Sequence, residues 1–251
     1  MSRIDVAELN EFVNINIVVF HKKRIRSIET LKLSNLIRKN PYLFKAKNIE
    51  VAADLIRSLL DAFLSSSEEK MFGDFLENLA VFISGKTKSG HKSSAQGIDL
   101  EFIEGKTHYL ISIKSGSNWG NSSQHKKLVQ DFQNASRILK QSGIKNDVQP
   151  VLGICYGRTR TSYMQQGYWK LVGQNFWYFI SDSITLYKDI IEPVGYQAKK
   201  HNDDFNIKKS AIINNLTSEF TKKFCMPDGK IDWEALVEFN SGNFDLNKFD
   251  I

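Results

Sequence analysis

Apolar residues recur at helical spacing in two neighbouring stretches near the start of the chain. In residues 51–64 and again in residues 68–84 they share one helical face. Ser66 or Ser67 can cap the second stretch, because a serine hydroxyl accepts hydrogen bonds from the free N–H groups of a first turn. The pattern therefore predicts two consecutive helices separated at these serines.

A different pattern, in which apolar and polar residues alternate, follows in residues 97–102 and 109–116. The alternation predicts two strands, and their short connection predicts an antiparallel pair. Capping residues at 121–123 begin a helix that runs to about Gln141, and the apolar residues 148–157 indicate a buried strand. The order helix, strand, strand, helix, strand predicts an α/β fold, with a central mixed β-sheet flanked by helices.

Both ends of the chain are predicted to be mainly helical. Residues 1–50 form one helical extension, interrupted at Asn40 and Pro41, and residues 183–251 form the other. The helical segments predicted in the second extension are 183–191, 204–224 and 231–239. We expect one domain over residues 1–251, with its core at about 51–157.

The charge balance of the chain permits a polyanionic partner. The net charge is +6 among 251 residues, and the sequence pI is about 9.1. No apolar run approaches the ~20 residues that span a bilayer, and the N-terminus has no secretory-signal pattern. We expect a cytoplasmic protein with no membrane part, in which Cys155 and Cys225 are reduced.

Charged residues on the two central strands provide the candidate chemistry. Because side chains alternate along a strand, Asp99 shares a face with Glu101, and Ser112 shares a face with Lys114. A carboxylate can hold a divalent cation beside a phosphodiester, and an ammonium group can stabilise the charge of the transition state. The carbonyl of Ile113 could complete the coordination. The alternative is a buried ion pair of Asp99 and Lys114 with no chemical role.

The order of these residues resembles the PD-(D/E)xK nuclease superfamily and, within it, a type II restriction endonuclease. The resemblance covers about residues 66–157 and implies a restriction-endonuclease-like catalytic domain that cuts double-stranded DNA at specific sites with Mg²⁺. It also implies a homodimer in a restriction-modification system. Asp99 matches the first acid of the superfamily, Lys114 matches the lysine, and Glu77 looks like the glutamate of the preceding helix.

Ser112 departs from the superfamily pattern, because an acid usually occupies that position. The acids that could replace it are Glu77, Glu101, Glu69 and Asp131. We favour Glu77, with Glu101 second. Asp99, Glu77, Glu101 and the Ile113 carbonyl are thus the candidate metal ligands, and Asp99, Lys114 and Glu77 are the candidate catalytic residues.

Small and polar residues after Lys114 are candidate DNA contacts. A phosphate can approach the backbone there, close to the N-terminus of the next helix. The candidates in this segment are Ser115, Asn118, Asn121 and Ser122. Arg158 and Arg160 follow the third strand and could contact bases or phosphates, since arginine is the usual reader of guanine. A solvated surface loop is the alternative for both arginines.

Two other functions fit the same residues. One is a structure-specific repair or junction nuclease on the same core. The other is a non-catalytic DNA-binding protein, which the serine at position 112 would explain.

Overall fold

The structure is a computed structural model that describes residues 4–243. The helices in that range are α1 (Val6–Glu29), α2 (Leu33–Leu36), α3 (Pro41–Ala46), α4 (Ala52–Thr87), α5 (Ser122–Gln141), α6 (Gln174–Ser181), α7 (Leu186–Asp189), α8 (Ile191–Val194), α9 (Ala198–Phe224) and α10 (Trp233–Ser241). The strands are β1 (Leu100–Glu104), β2 (Thr107–Gly116), β3 (Asp147–Tyr156), β4 (Ser162–Met164) and β5 (Tyr168–Val172).

The five strands form one mixed sheet in the order β1-β2-β3-β5-β4. The pair β1–β2 is antiparallel, and its turn contains Gly105 at a φ of +59°, a conformation that glycine adopts without steric cost. Strand β2 runs parallel to β3, and β3 runs parallel to β5, so that α5 is the crossover between β2 and β3. This architecture confirms the predicted α/β fold with a mixed sheet.

Apolar residues on both faces of β2 explain why helices cover this sheet. Ile111 and Ile113 join the core that contains Phe75 and Leu79 of α4. Leu110, on the opposite face, joins a second core that contains residues of α5. A strand buried on both sides can expose polar groups only near its ends, and the end of β2 carries Lys114.

The predicted break between two helices at Ser66 and Ser67 is wrong, because α4 is continuous. The hydroxyl of Ser66 donates to the Ala62 carbonyl over 3.2 Å, and that of Ser67 donates to the Leu64 carbonyl over 3.1 Å. Each serine thus bonds to the preceding turn of its own helix and does not start a new one. One helix of 36 residues results.

Strands β4 and β5 and helix α6 are absent from the sequence prediction. In β5 the buried Tyr168 is followed by Trp169, which is 40% exposed. Because both residues are aromatic, the sequence does not show which of them faces the core. Trp169 contacts Tyr163 of β4 edge to face, with ring centroids 5.2 Å apart. The prediction therefore ended the sheet at β3, two strands too early.

The helical ends follow the prediction in type and differ in their bounds. Asn40 accepts a hydrogen bond from the Leu43 N–H and caps α3, so the break at Asn40 and Pro41 is confirmed. The predicted segment 183–191 covers α7 and only the first residue of α8. The predicted segment 204–224 ends with α9 but begins later than that helix, which starts at Ala198. None of the helices in residues 4–243 combines the length and the apolar character needed to cross a membrane.

The chain divides into two compact units. The first comprises Met1–Phe20 and Met71–Ala198 and contains the sheet; the second comprises His21–Lys70 and Lys199–Ile251. The described part of the second unit is mainly helical, with one isolated β-bridge between Cys225 and Ile231, and Phe220 is fully buried in its core. A single catalytic domain over the whole chain stays a prediction.

Candidate active site

Asp99 lies directly before β1 and continues the pairing of β1 with β2. Its N–H donates to the Ile111 carbonyl over 2.9 Å. Its carboxylate Oδ2 accepts a hydrogen bond from the Ile113 N–H at 2.6 Å and one from the Ser112 hydroxyl at 3.3 Å. The main chain of β2 therefore holds the carboxylate in one position, as the strand alternation requires.

The ammonium group of Lys114 lies among three oxygen atoms. Its Nζ donates to the Ile113 carbonyl at 2.8 Å and to the Ser112 Oγ at 3.1 Å, and it is 3.6 Å from the Asp99 Oδ2. The side chains of Lys114 and Asp99 are 31% and 20% exposed. The predicted convergence of these two residues is therefore present in the structure, at a place that solvent reaches.

Ser112 connects the acid to the lysine. Its side chain is buried, with the residue only 1% exposed, and its hydroxyl both donates to Asp99 and accepts from Lys114. A hydroxyl can do both at once. Ser112 thus preserves the geometry of the pair but adds no charge, so that any second metal-binding acid must come from another element.

Glu77 of α4 lies within electrostatic reach of the pair. Burial is the main cause that raises the pKa of Glu77, and the negative charge of Asp99 raises it further. Lys92 and Lys114 act in the opposite direction, and the Lys92 Nζ is 3.3 Å from a Glu77 oxygen. Burial and the neighbouring Asp99 thus disfavour the ionised form of Glu77, and a nearby positive charge would favour it.

Glu101 is occupied by two histidines. Its Oε2 is 3.0 Å from the Nε2 of His108, and its Oε1 is 3.4 Å from the Nε2 of His91. The His108 side chain is only 7% exposed, and the backbone of His91 pairs with that of Glu101. Neither contact with Glu101 was predicted from the sequence, although alternation along β2 places His108 on the face of Ser112.

The remaining two candidate acids differ in their surroundings. Asp131 of α5 packs against Gly97: a Cβ built on that glycine would lie 2.3 Å from the Asp131 Oδ2. Gly97 also has a φ of +76°, so both space and conformation favour glycine. Glu69 belongs to the second unit of the chain.

Two of the candidate DNA contacts after Lys114, Asn121 and Ser122, lie at the start of α5. Asn121 accepts a hydrogen bond from the Gln124 N–H at 3.1 Å, and the Gln124 side chain accepts one from the Asn121 N–H at 2.9 Å. This capping box confirms the predicted cap and makes Ser122 the first helical residue. Ser115 instead lies near Gly73, with its Cβ 3.7 Å from a Cβ built there.

Trp119 connects the lysine with the first turn of α5. Its ring centre is 5.6 Å from the Lys114 Nζ and 4.6 Å from the ring centre of His125. Asn118, just before it, is exposed. The turn after β2 thus places an aromatic ring and an exposed amide beside Lys114.

Arg158 and Arg160 are exposed in the loop between β3 and β4. Arg158 also lines a cavity of about 980 Å³, together with Gln174 and Asn175 at the start of α6. In sheets with parallel strands, ligands bind beyond the carboxyl ends of the strands, where this cavity lies. The two arginines therefore have access to a ligand at the same end of the sheet as Lys114.

The oxygen atoms of this site suit a hard cation. In the part of the chain that the structure describes, no three side chains of His, Cys, Asp or Glu are grouped closely enough to hold a metal. The ammonium of Lys114 nevertheless occupies a position between a carboxylate and a main-chain carbonyl, which are ligands that Mg²⁺ accepts. The thiol of Cys155, whose pKa is raised by burial, is no such ligand.

Comparison with known proteins identifies a family. The model of the family described as type II restriction endonuclease EcoO109I matches residues 7–202, which is well over half of the 251 residues. No curated protein matches the chain. The matched range includes the whole sheet and confirms the interpretation of the sequence as a restriction endonuclease.

The contrast between Glu77 and Glu101 leads to a prediction about metal binding. Glu77→Gln should weaken the binding of a divalent cation about tenfold or more, because it removes a carboxylate near Asp99. Glu101→Gln, the matched control, should change that affinity less than about threefold. Titration of each protein with Mn²⁺ by calorimetry measures both. A greater loss with Glu101→Gln would contradict the assignment.

Proposed function

The chain belongs to the type II restriction endonuclease EcoO109I family, and from this premise we propose how it cuts DNA. The chain is accordingly a type II restriction endonuclease, a hydrolase that cleaves DNA in a restriction-modification system. The observation that supports the catalytic assignment is the contact of Lys114 with Asp99, Ser112 and the Ile113 carbonyl. The metal ion, the residue roles and the assembly are our proposals.

Mg²⁺ is the proposed cofactor, since the family generally implies a divalent metal ion. Asp99, Glu77 and the main-chain carbonyl of Ile113 would hold it, with Glu101 as the second choice because two histidines already contact its carboxylate. When bound, Mg²⁺ supplies Lewis-acid stabilisation of the scissile phosphate and lowers the pKa of a bound water molecule.

The ammonium of Lys114 is proposed to move from the oxygen atoms of Asp99, Ser112 and Ile113 towards the scissile phosphate. There it stabilises the negative charge that develops in the transition state and orients the attacking water. Ser112 keeps Asp99 in place during this change, since its hydroxyl can still donate to the carboxylate. The exposure of both charged side chains supports this role against that of an inert buried pair.

Other residues are proposed to hold the DNA. Asn118, Asn121 and Ser122 would contact the backbone beside the scissile phosphate, because they lie at or just before the start of α5, where N–H groups favour an anion. Ser115 would contact the same backbone from the end of β2, directly after Lys114. Arg158 and Arg160 would contact bases or phosphates from the loop after β3.

A homodimer is the proposed assembly, because two-fold symmetry supplies one active site for each strand of a palindromic target. The helical ends of the chain are the proposed interface. Sedimentation of the free enzyme as a single chain at micromolar concentration would contradict this assembly.

A cytoplasmic location is proposed because incoming DNA is met there; both cysteines are free thiols.

Digestion of a plasmid of known sequence tests the proposed function. With Mg²⁺ the enzyme should give discrete fragments whose sequenced ends share one site, and chelation of the metal should stop cutting. Asp99→Asn should reduce the rate at least about 10³-fold, since it removes a charged metal ligand. Fragments without a common end sequence would instead indicate a structure-specific nuclease, and full cutting by Asp99→Asn would remove Asp99 from the mechanism.

The position of Lys114 leads to a second prediction. Lys114→Met should abolish cleavage, yet it should tighten the binding of Mn²⁺ without DNA by about fivefold or more, because no ammonium then occupies the cation position. Calorimetric titration measures this affinity, and Lys106→Met in the β1–β2 turn is the matched control. An unchanged or weaker Mn²⁺ affinity would show that Lys114 does not compete with the metal.

A further inference from the structure

A groove lies along helix α5, lined by residues to which the active site assigns no role. It consists of two adjoining cavities of about 440 and 550 Å³, which share Val129, Gln166 and Tyr168. Val129 lies on α5, and the other two residues lie in the β4–β5 hairpin. This α5 groove therefore has one wall of helix and one wall of sheet edge, both within the first unit.

Basic side chains line the α5 groove at both ends. Lys126 and His125 line the smaller cavity, and Arg137 and Lys140 line the larger one. All four side chains belong to exposed residues, and neither cavity is lined by an aspartate or a glutamate. The groove thus offers positive charge above a partly apolar floor, which suits a sugar–phosphate backbone.

The lysines and the arginine of α5 differ from several other lysines of the same unit, because no acidic side chain lies beside them. Lys86, Lys88 and Lys92 each lie within 4.0 Å of a carboxylate oxygen. Among the residues described, no carboxylate lies within that distance of Lys126, Lys127, Arg137 or Lys140 of α5. The single acid of the helix, Asp131, packs against Gly97. The charge of this surface is therefore available to an external anion.

The α5 groove begins beside the catalytic lysine. His125 contacts Trp119, whose ring lies 5.6 Å from the Lys114 Nζ. From His125 to Lys140 the helix rises about 22 Å, which corresponds to roughly six phosphates along one strand of a duplex. A strand that passes Lys114 can thus continue along the groove for about half a helical turn.

We propose that the α5 groove binds the phosphate backbone of DNA that flanks the cleavage site, through Lys126, Arg137 and Lys140. The proposal rests on the proposed function, in that the scissile phosphate lies at Lys114. It adds a second contact region, which reads no bases and which raises affinity for specific and non-specific duplexes alike. The enzyme should accordingly bind a target with long flanks more tightly than the same target with short flanks.

Binding of duplexes without divalent metal tests this contact. The double variant Arg137→Gln/Lys140→Gln should lower the slope of log K against log salt by about 1.8, since each lost phosphate contact removes about 0.9. Its affinity for a duplex with eight flanking base pairs on each side should fall at least about tenfold. For a duplex with two flanking base pairs the fall should be much smaller. Lys126→Gln should lower the slope by about 0.9.

Lys106→Gln removes an exposed lysine from the β1–β2 turn and is the control for a general charge effect. It should keep the wild-type slope and the wild-type dependence on flank length. The proposal fails if the double variant retains the wild-type slope, or if Lys106→Gln weakens binding as much as Lys126→Gln. Plasmid cleavage by the wild-type enzyme separates a failure of the proposed function from a failure of the α5 groove proposal. If the wild-type enzyme does not cut, the proposed function is rejected. If it cuts and the variants bind DNA like the wild type, only the groove proposal is rejected.

Discussion

The hydrogen bond from the Ile113 N–H to the Asp99 carboxylate is the constraint on which the site depends. It uses a main-chain donor of β2 to fix an acid on the neighbouring strand, so the hairpin itself sets the position of the charge. Lys114 follows one residue later and lies next to the same oxygen. Because β2 is buried on both faces and pairs with β3 as far as Lys114, the main chain that supplies this donor is part of the packed sheet.

The charges around this centre lie on two helices that cover opposite faces of the sheet. Glu77 comes from a helix against one face of the sheet, and the basic residues of α5 come from the crossover helix against the other. The capping box at Asn121 and Gln124 fixes the start of that helix beside the turn after β2. The fold thus joins the centre proposed to hold the metal and a cationic surface through one short segment, which includes Trp119.

Local patterns were sufficient to predict the hairpin, the facing of Asp99 and Lys114, and the cap at Asn121, because each depends on residues close in the chain or on strand alternation. Contacts between distant residues were beyond that reasoning. The pairing of Glu101 with His91 and His108, and that of Glu77 with Lys92, depend on how separate elements pack. The serines of α4 failed as a boundary signal because the same hydroxyl that caps a helix can also bond within one.

The hydroxyl of Ser112 has a consequence for the resting enzyme. With a serine there, this end of the hairpin carries one negative and one positive group, Asp99 and Lys114, whose charges offset each other. A carboxylate at the same place would put two like charges side by side, which disfavours their ionised forms until a further cation is present. The hairpin of this chain can therefore reach its folded form before the proposed cation binds.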